Sequence, residues 1–179
     1  MAKVKWNVDT AHSSIDFSVR HMMISRVKGT FHNFEAQVEA DPEDLTTADI
    51  YVEIDVASID TRNEDRDNHL RSADFFDVEK YPKMTFKATN IVKKGDNEYD
   101  ITGDFSLHGV TKPVTFNATF EGVQKNPWGD EVAGLSATGK IKRSEFGLTW
   151  NNTLETGGVL VGDDVNISIE IEAIKAKEA

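Results

Sequence analysis

The 179-residue chain has no cysteine, four prolines and a shortage of positive charge. Without cysteine there is no disulfide framework, thiolate metal site, cysteine nucleophile or redox dithiol. No apolar run approaches the ~18 residues of a transmembrane helix. Twenty Lys and Arg stand against 31 Asp and Glu, a formal net charge of -11, which argues against nucleic acid as a partner. Catalytic signatures are missing too: there is no G-x-S-x-G elbow and no H-E-x-x-H. Gly134 to Lys140 has Walker A spacing, but Ile141 stands where a Ser or Thr would hold magnesium, and the segment alternates like a strand. The five histidines (His12, His21, His32, His69 and His108) show no H-x-H or i,i+4 pairing. No metal, cofactor or catalytic residue is therefore expected. The start, Met1 to Trp6, lacks the apolar core of a secretory signal, so the expectation is a cytoplasmic protein, or a periplasmic or secreted one with its signal removed. Sequons begin at Asn117, Asn152 and Asn166, but nothing else points to a glycosylating pathway.

What is present is a single-domain length, read as one domain over 1–179. A hydrophobic content of 39%, with ten Phe and three Trp, is too rich for a disordered acidic chain. The dominant pattern has period two. Val4, Trp6 and Val8 alternate with polar neighbours, as do Ile15, Phe17 and Val19. So do Ile50 to Val56, Ile101 to Leu107, Val114 to Phe120, Leu135 to Ile141 and Val165 to Ile171. Each reads as a strand with one apolar and one solvated face. Parity slips between Phe31 and Phe34, which predicts a bulge or bend at His32-Asn33. Turn signals at 94–97, 108–109 and 126–130 are short enough to join antiparallel neighbours. Such a set of strands solves as a sandwich or a closed barrel.

Two segments break the pattern. Thr61-Arg62-Asn63-Glu64 reads as a capping box opening a helix over about 61–70, with a second short turn from Ser72 and an end at Tyr81-Pro82. The connection from Arg143 to Asp164 is long and irregular, yet carries Phe146, Leu148, Trp150, Leu154, Val159 and Val161. Loops of that length in compact domains are often functional.

Parity nominates a lumen set: Phe17, Val19, Phe31, Phe86, Phe105, Phe116, Ile141 and Ile169. The alternative is a filled core. Strands of ~10 residues, or ~33 Å, favour a long narrow barrel holding a long apolar chain. On the helix, Arg62, Arg66 and His69 fall on one face beside Leu70. One reading is a solvated helix with Asp65–His69 and Asp67–Arg71 pairs; the other is a cationic mouth. The second nominates Arg66, His69, His21 and Arg143 as a head-group site, because guanidinium grips phosphate or carboxylate bidentately.

The ordered set of short motifs then resembles a known family. Trp6-Asn7-Val8-Asp9, His12-Ser13-Ser14-Ile15, Val19-Arg20-His21 and Val27-Lys28-Gly29-Thr30-Phe31 open it. Ser58-Ile59-Asp60-Thr61, Arg66-Asp67-Asn68-His69-Leu70, Asp74-Phe75-Phe76-Asp77 and Tyr81-Pro82 form its most specific block. Leu107 to Val114 and Arg143-Ser144-Glu145-Phe146-Gly147 continue it. Through essentially its whole length the chain resembles the YceI-like lipid-binding proteins. The resemblance implies an all-β fold with a minor helix: an extended, eight-stranded antiparallel lipocalin-like barrel. It also implies a homodimer that binds a polyisoprenoid or fatty-acid-like chain in the barrel interior. The expected function is non-enzymatic binding, storage or transport of such a ligand. Two alternatives stand beside it: an enzyme using the same tunnel with His21 or His69 as acid/base, and a ligand-free, stress-related interaction protein with a filled core.

Overall fold

In the computed structural model, residues 3–22, 24–151 and 161–176 are described. They form β1 (Val4–Val8), β2 (Ser14–His21), β3 (Ser25–Phe31), β4 (Phe34–Asp41), β5 (Asp44–Asp55), β6 (Ile59–Asp60), α1 (Glu64–Arg71), β7 (Lys83–Lys93), β8 (Glu98–Leu107), β9 (Val110–Lys125), β10 (Glu131–Lys142) and β11 (Val161–Lys175). The sequon at Asn152 and the apolar residues Leu154 and Val159 lie outside the described residues.

All the strands pair antiparallel, and the ring β1-β4-β5-β7-β8-β9-β10-β11 returns to β1, giving an eight-stranded closed barrel with one short helix. The seam pairs Trp6 with Lys175 and Val8 with Ala173. Beyond the ring, β2, β3 and β6 extend the wall at one end: β2 pairs with β11 from Val161 to Glu170, β3 with β2, and β6 with β3. Strands β1 and β2 are thus two stretches of one wall strand, broken at residues 9–13 by a 3-10 turn whose N-cap is Asp9. The parity slip is resolved as expected. Strand β3 ends at Phe31, β4 begins at Phe34, His32 and Asn33 bridge them, and both rings are buried.

The hairpin turns fall where the sequence placed them. His108 and Gly109 both take positive φ, 54° and 77°, the twist a two-residue hairpin needs. At the opposite end, Trp6 is buried and its indole N–H donates to the Ala40 carbonyl at 3.3 Å, closing the barrel floor.

The helix begins differently from the expectation. Asn63, not Thr61, is the N-cap, its side-chain oxygen accepting from the Arg66 N–H at 3.0 Å. Thr61 is buried, and its N–H and hydroxyl both donate to Asp67 Oδ1, at 2.9 and 2.5 Å. Asp67 is buried too, so Thr61 is held by a helix carboxylate rather than capping the helix. Neither expected surface pair forms. His69 meets Asp74, while Arg71 donates to the carbonyls of Ala57 and Ile59 and to Asn68 Oδ1. Arg71 thereby ties α1 back onto the β5–β6 corner.

Replacing Asp67 by alanine strands a buried N–H and a buried hydroxyl, at a cost of about 1–3 kcal/mol. Urea unfolding should show the midpoint fall for Asp67→Ala and recover in part for Asp67→Asn, which keeps an acceptor. Equal midpoints for all three proteins would mean that Thr61 finds other partners.

Candidate functional site: an apolar cavity inside the barrel

Because each strand turns every second residue inward, the closed ring collects its apolar faces around one axis. They do not fill it. A cavity of ≈ 250 Å³ runs inside the barrel, from Trp6 and Leu45 near the floor to Leu70, Phe75 and Leu148 at the helix end. Packed protein cores hold few voids larger than a water molecule. The filled core was one reading of the sequence, and this volume is the observation that stands against it.

All eight positions nominated for the lumen (Phe17, Val19, Phe31, Phe86, Phe105, Phe116, Ile141 and Ile169) line this one cavity. Rings meet one another across strands: Phe17 and Phe31 at 5.5 Å between centroids, Phe86 and Phe116 edge-to-face at 5.2 Å. Three inward glycines make the room. The rings of Phe17, Phe86 and Phe116 lie against Gly29, Gly103 and Gly139, where a β-carbon would collide with them. With the rings flat on the wall, the axis stays open.

The helix end closes with residues that periodicity did not find. Leu70, Phe75 and Phe76 line the cavity, with Phe76 edge-on to Phe31 at 6.2 Å. The sequence signals for the last two were a pair of adjacent rings in a polar, aperiodic segment and their place in the Asp74-Phe75-Phe76-Asp77 motif. Met84 and Tyr99 were also missed, although both lie on strands and line the same cavity.

Of the four cationic residues nominated for a head group, only Arg143 lines the cavity. Its guanidinium is buried and donates from Nε to Gly162, from Nη1 to Leu148 and Trp150, and from Nη2 to Val161, all carbonyl oxygens. Burial pushes its pKa down from the ordinary value, and the nearby charge of Asp163 works against that. It also stands 5.9 Å from the Phe75 ring centroid. His69 packs edge-on to Phe75 and Trp150 and pairs through Nε2 with Asp74 Oδ2 at 3.0 Å, an orienting partner that sequence spacing did not show. It is not among the cavity-lining residues. Arg66 spends Nε and Nη2 on the Thr61 hydroxyl and carbonyl, each at 2.8 Å. His21 ends β2 opposite Val161, the residue whose carbonyl binds Arg143. The structure thus places His69, Arg143 and the His21 strand end at one end of the barrel, but makes no cationic ring around the cavity.

One group among the described residues could hold a metal ion: Asp9, His12 and Glu172, whose ligand atoms lie within 4.8 Å of one another. It sits on the outer seam, where β1 and β11 run past each other. The His12–Asp9 hydrogen bond, 2.8 Å, holds Asp9 below its ordinary pKa and raises that of His12. Asp9 and His12 are local partners in the 3-10 turn, and barrel closure brings Glu172 to them, which no local spacing reveals.

A methyl group at Gly139 would stand 2.5 Å from the Phe116 ring. Gly139→Ala should tilt that ring into the lumen, cost about 1–3 kcal/mol in overpacking, and reduce uptake of a long-chain fluorescent probe. Unchanged uptake with unchanged stability would show that the ring has slack.

With this geometry in place, comparison with known proteins gives a consistent result. Residues 6–173 match the YceI-like domain. A protein of Staphylococcus epidermidis, named only as a UPF0312 protein, is 46% identical over 169 residues, covering 94% of this chain and 96% of its own. Among solved structures, BcnA of Burkholderia cenocepacia aligns with a TM-score of 0.82 at 28% identity, over 93% of this chain and 99% of that one. A domain of Saccharophagus degradans, described as polyisoprenoid binding and implicated in plant cell wall breakdown, aligns with a TM-score of 0.67 over 97% of this chain and 99% of that one. At 15% identity, that last likeness is one of fold. The family match spans nearly the whole barrel, and the chain belongs to the YceI-like family.

Proposed function

We infer that the protein is a non-enzymatic carrier or store for a long-chain apolar or amphiphilic ligand held along the barrel axis. The observation that carries this reading is the cavity: ≈ 250 Å³, with Asp16 and Arg143 the only charged residues along its wall among the described residues. Atoms lining an empty apolar space forgo dispersion contacts that an occupant restores. A hydrocarbon chain supplies them without needing polar partners. Asp16 is engaged by the Thr30 hydroxyl at 2.5 Å, and Arg143 by four carbonyls, so the wall offers a tail little beyond shape. A polyisoprenoid is the first class to test, given the fold shared with the Saccharophagus degradans domain. A fatty-acid-like chain is the second.

The enzyme reading draws on the His69–Asp74 pair, which has the form of an oriented base. Its place outside the cavity lining weighs against it. Organic extraction of purified protein followed by mass spectrometry should release a long-chain lipid, or the stripped protein should take up an isoprenoid alcohol. A native protein that yields none and takes up none would overturn the carrier. Turnover of the lipid that vanishes in His69→Ala would replace it with an enzyme. Phe116→Asp places an unpaired carboxylate on the lumen face and should unfold the barrel or abolish uptake. A folded variant binding normally would count against the lumen as the site.

The homodimer that family resemblance implies belongs to the same proposal. Light scattering should give twice the chain mass of 19.9 kDa across a dilution series. A constant value at the chain mass would reject it.

A further inference from the structure

The lumen is poor in hydrogen-bonding side chains. Among the described residues that line it, Trp6, Asp16, Tyr99 and Arg143 alone carry a side-chain N–H, O–H or carboxylate. Trp6 donates to the Ala40 carbonyl, and Asp16 accepts from the Thr30 hydroxyl. Arg143 gives four of its five N–H donors to carbonyl oxygens. Tyr99 differs from these three: its hydroxyl makes no hydrogen bond with the described residues. Yet Tyr99 is only 8% exposed and packs within the main apolar cluster. Strand alternation turns it inward with Ile101, Phe105 and Leu107. A buried tyrosine hydroxyl usually finds a partner, and a phenylalanine would fill the same space without the need. No sealed side-chain polar atom lacks a partner, so this hydroxyl borders open space rather than packed protein.

Its place in the barrel decides what could meet it. Strand β8 ends at Leu107 on the helix side, where the next residue, His108, meets the Phe146 carbonyl through Nδ1 at 3.2 Å. Tyr99 lies at the other end of the same strand, about 27 Å back along it, beside the 94–97 turn and towards the floor. Leu70, Phe75, Phe76 and Leu148 line the helix end, and Arg143, the one cation on the wall among the described residues, stands with them. A carboxylate or phosphate beside Tyr99 would therefore be buried without a counter-charge. A neutral hydroxyl or carbonyl needs only one hydrogen bond there, and a phenol can donate or accept it.

We propose that Tyr99 is the polar anchor of the lumen. Its hydroxyl holds the neutral oxygen, alcohol or carbonyl, at one end of a long-chain ligand, which lies with that end towards the floor and its tail towards α1. The inference rests on the carrier reading and deepens it: it names a neutral rather than an anionic amphiphile and gives its direction. That direction is opposite to the one implied by a cationic head-group site at the helix end.

The test uses the stripped protein and three prenyl probes of equal chain length: geranylgeraniol, the hydrocarbon lacking only its hydroxyl, and geranylgeranyl phosphate. The alcohol should bind more tightly than either of the others. Tyr99→Phe should weaken the alcohol about two- to tenfold, the worth of one hydrogen bond, and leave the hydrocarbon unchanged. Tyr51→Phe, whose hydroxyl meets Glu53 and which does not line the cavity, should bind all three as the parent does. With the corresponding aldehyde as probe, the infrared carbonyl stretch should lie lower in the parent than in Tyr99→Phe, a difference that altered packing would not produce. The thermal midpoint of Tyr99→Phe should be equal to the parent's or higher, since no partner is lost. A parent that binds the probes, with Tyr99→Phe weakening alcohol and hydrocarbon equally or neither, overturns this proposal and leaves the carrier reading standing. Tighter binding of the phosphate than of the alcohol also overturns it. A parent that binds none of the probes overturns both.

Discussion

Closure of the ring along β11 is the interaction on which the rest of the structure depends. This strand pairs with β10 along one edge, and with β2 and then β1 along the other. A sheet of this length left open would show two rows of unpaired backbone groups and an apolar face as long as its strands. Closed, it has no free edge in the ring and its apolar faces look only at one another. The cavity exists because the wall is self-sufficient: its polar backbone is satisfied within the sheet, so the lumen has no need of polar partners.

Much of this was legible in the sequence, for a geometric reason. A barrel strand has one lumen face and one solvent face, so period two carries wall position directly. Hence Phe105 and Phe116, on neighbouring strands, could be assigned to one interior. The Phe31–Phe34 slip located the corner between β3 and β4 for the same reason. What was not legible lies where no period operates or where closure does the assembling. Thr61 and Glu64 fit the capping-box pattern, yet the Thr61 hydroxyl is taken by Asp67 from within the helix, a contact that spacing alone does not rank above a cap. Phe75 and Phe76 close the cavity from an irregular segment. Asp9 and Glu172 become neighbours only through the seam register.

The cationic residues show how a plausible pattern is redirected by the backbone. Arg66, Arg71 and Arg143 each give guanidinium donors to main-chain carbonyls. The accepting carbonyls, those of Ala57, Ile59, Thr61, Leu148, Trp150, Val161 and Gly162, lie at corners and strand ends. Buried carbonyls need donors, and an arginine brings five in a fixed fork. Arg66 and Arg143, which read as part of a grip for an anion, therefore serve with Arg71 in part as fasteners for the chain at one end of the barrel. This ties α1 and residues 143–151 to the wall, where they have little ladder pairing of their own.

The seam also has a consequence in time. Its partners, Trp6 and Lys175, lie at opposite ends of the chain. During synthesis β1 must wait for nearly every other residue to be made before its second neighbour exists. Until then the nascent sheet is a curved, open ribbon with its Phe-lined face uncovered. Contacts so distant in sequence make folding slow, and transiently exposed apolar strands invite association with other chains. In the completed barrel the ring of strands is closed, but in the ribosome-bound one it is not. The interval between emergence of β10 and docking of β11 is when this protein is most exposed to aggregation and most dependent on whatever shields nascent chains.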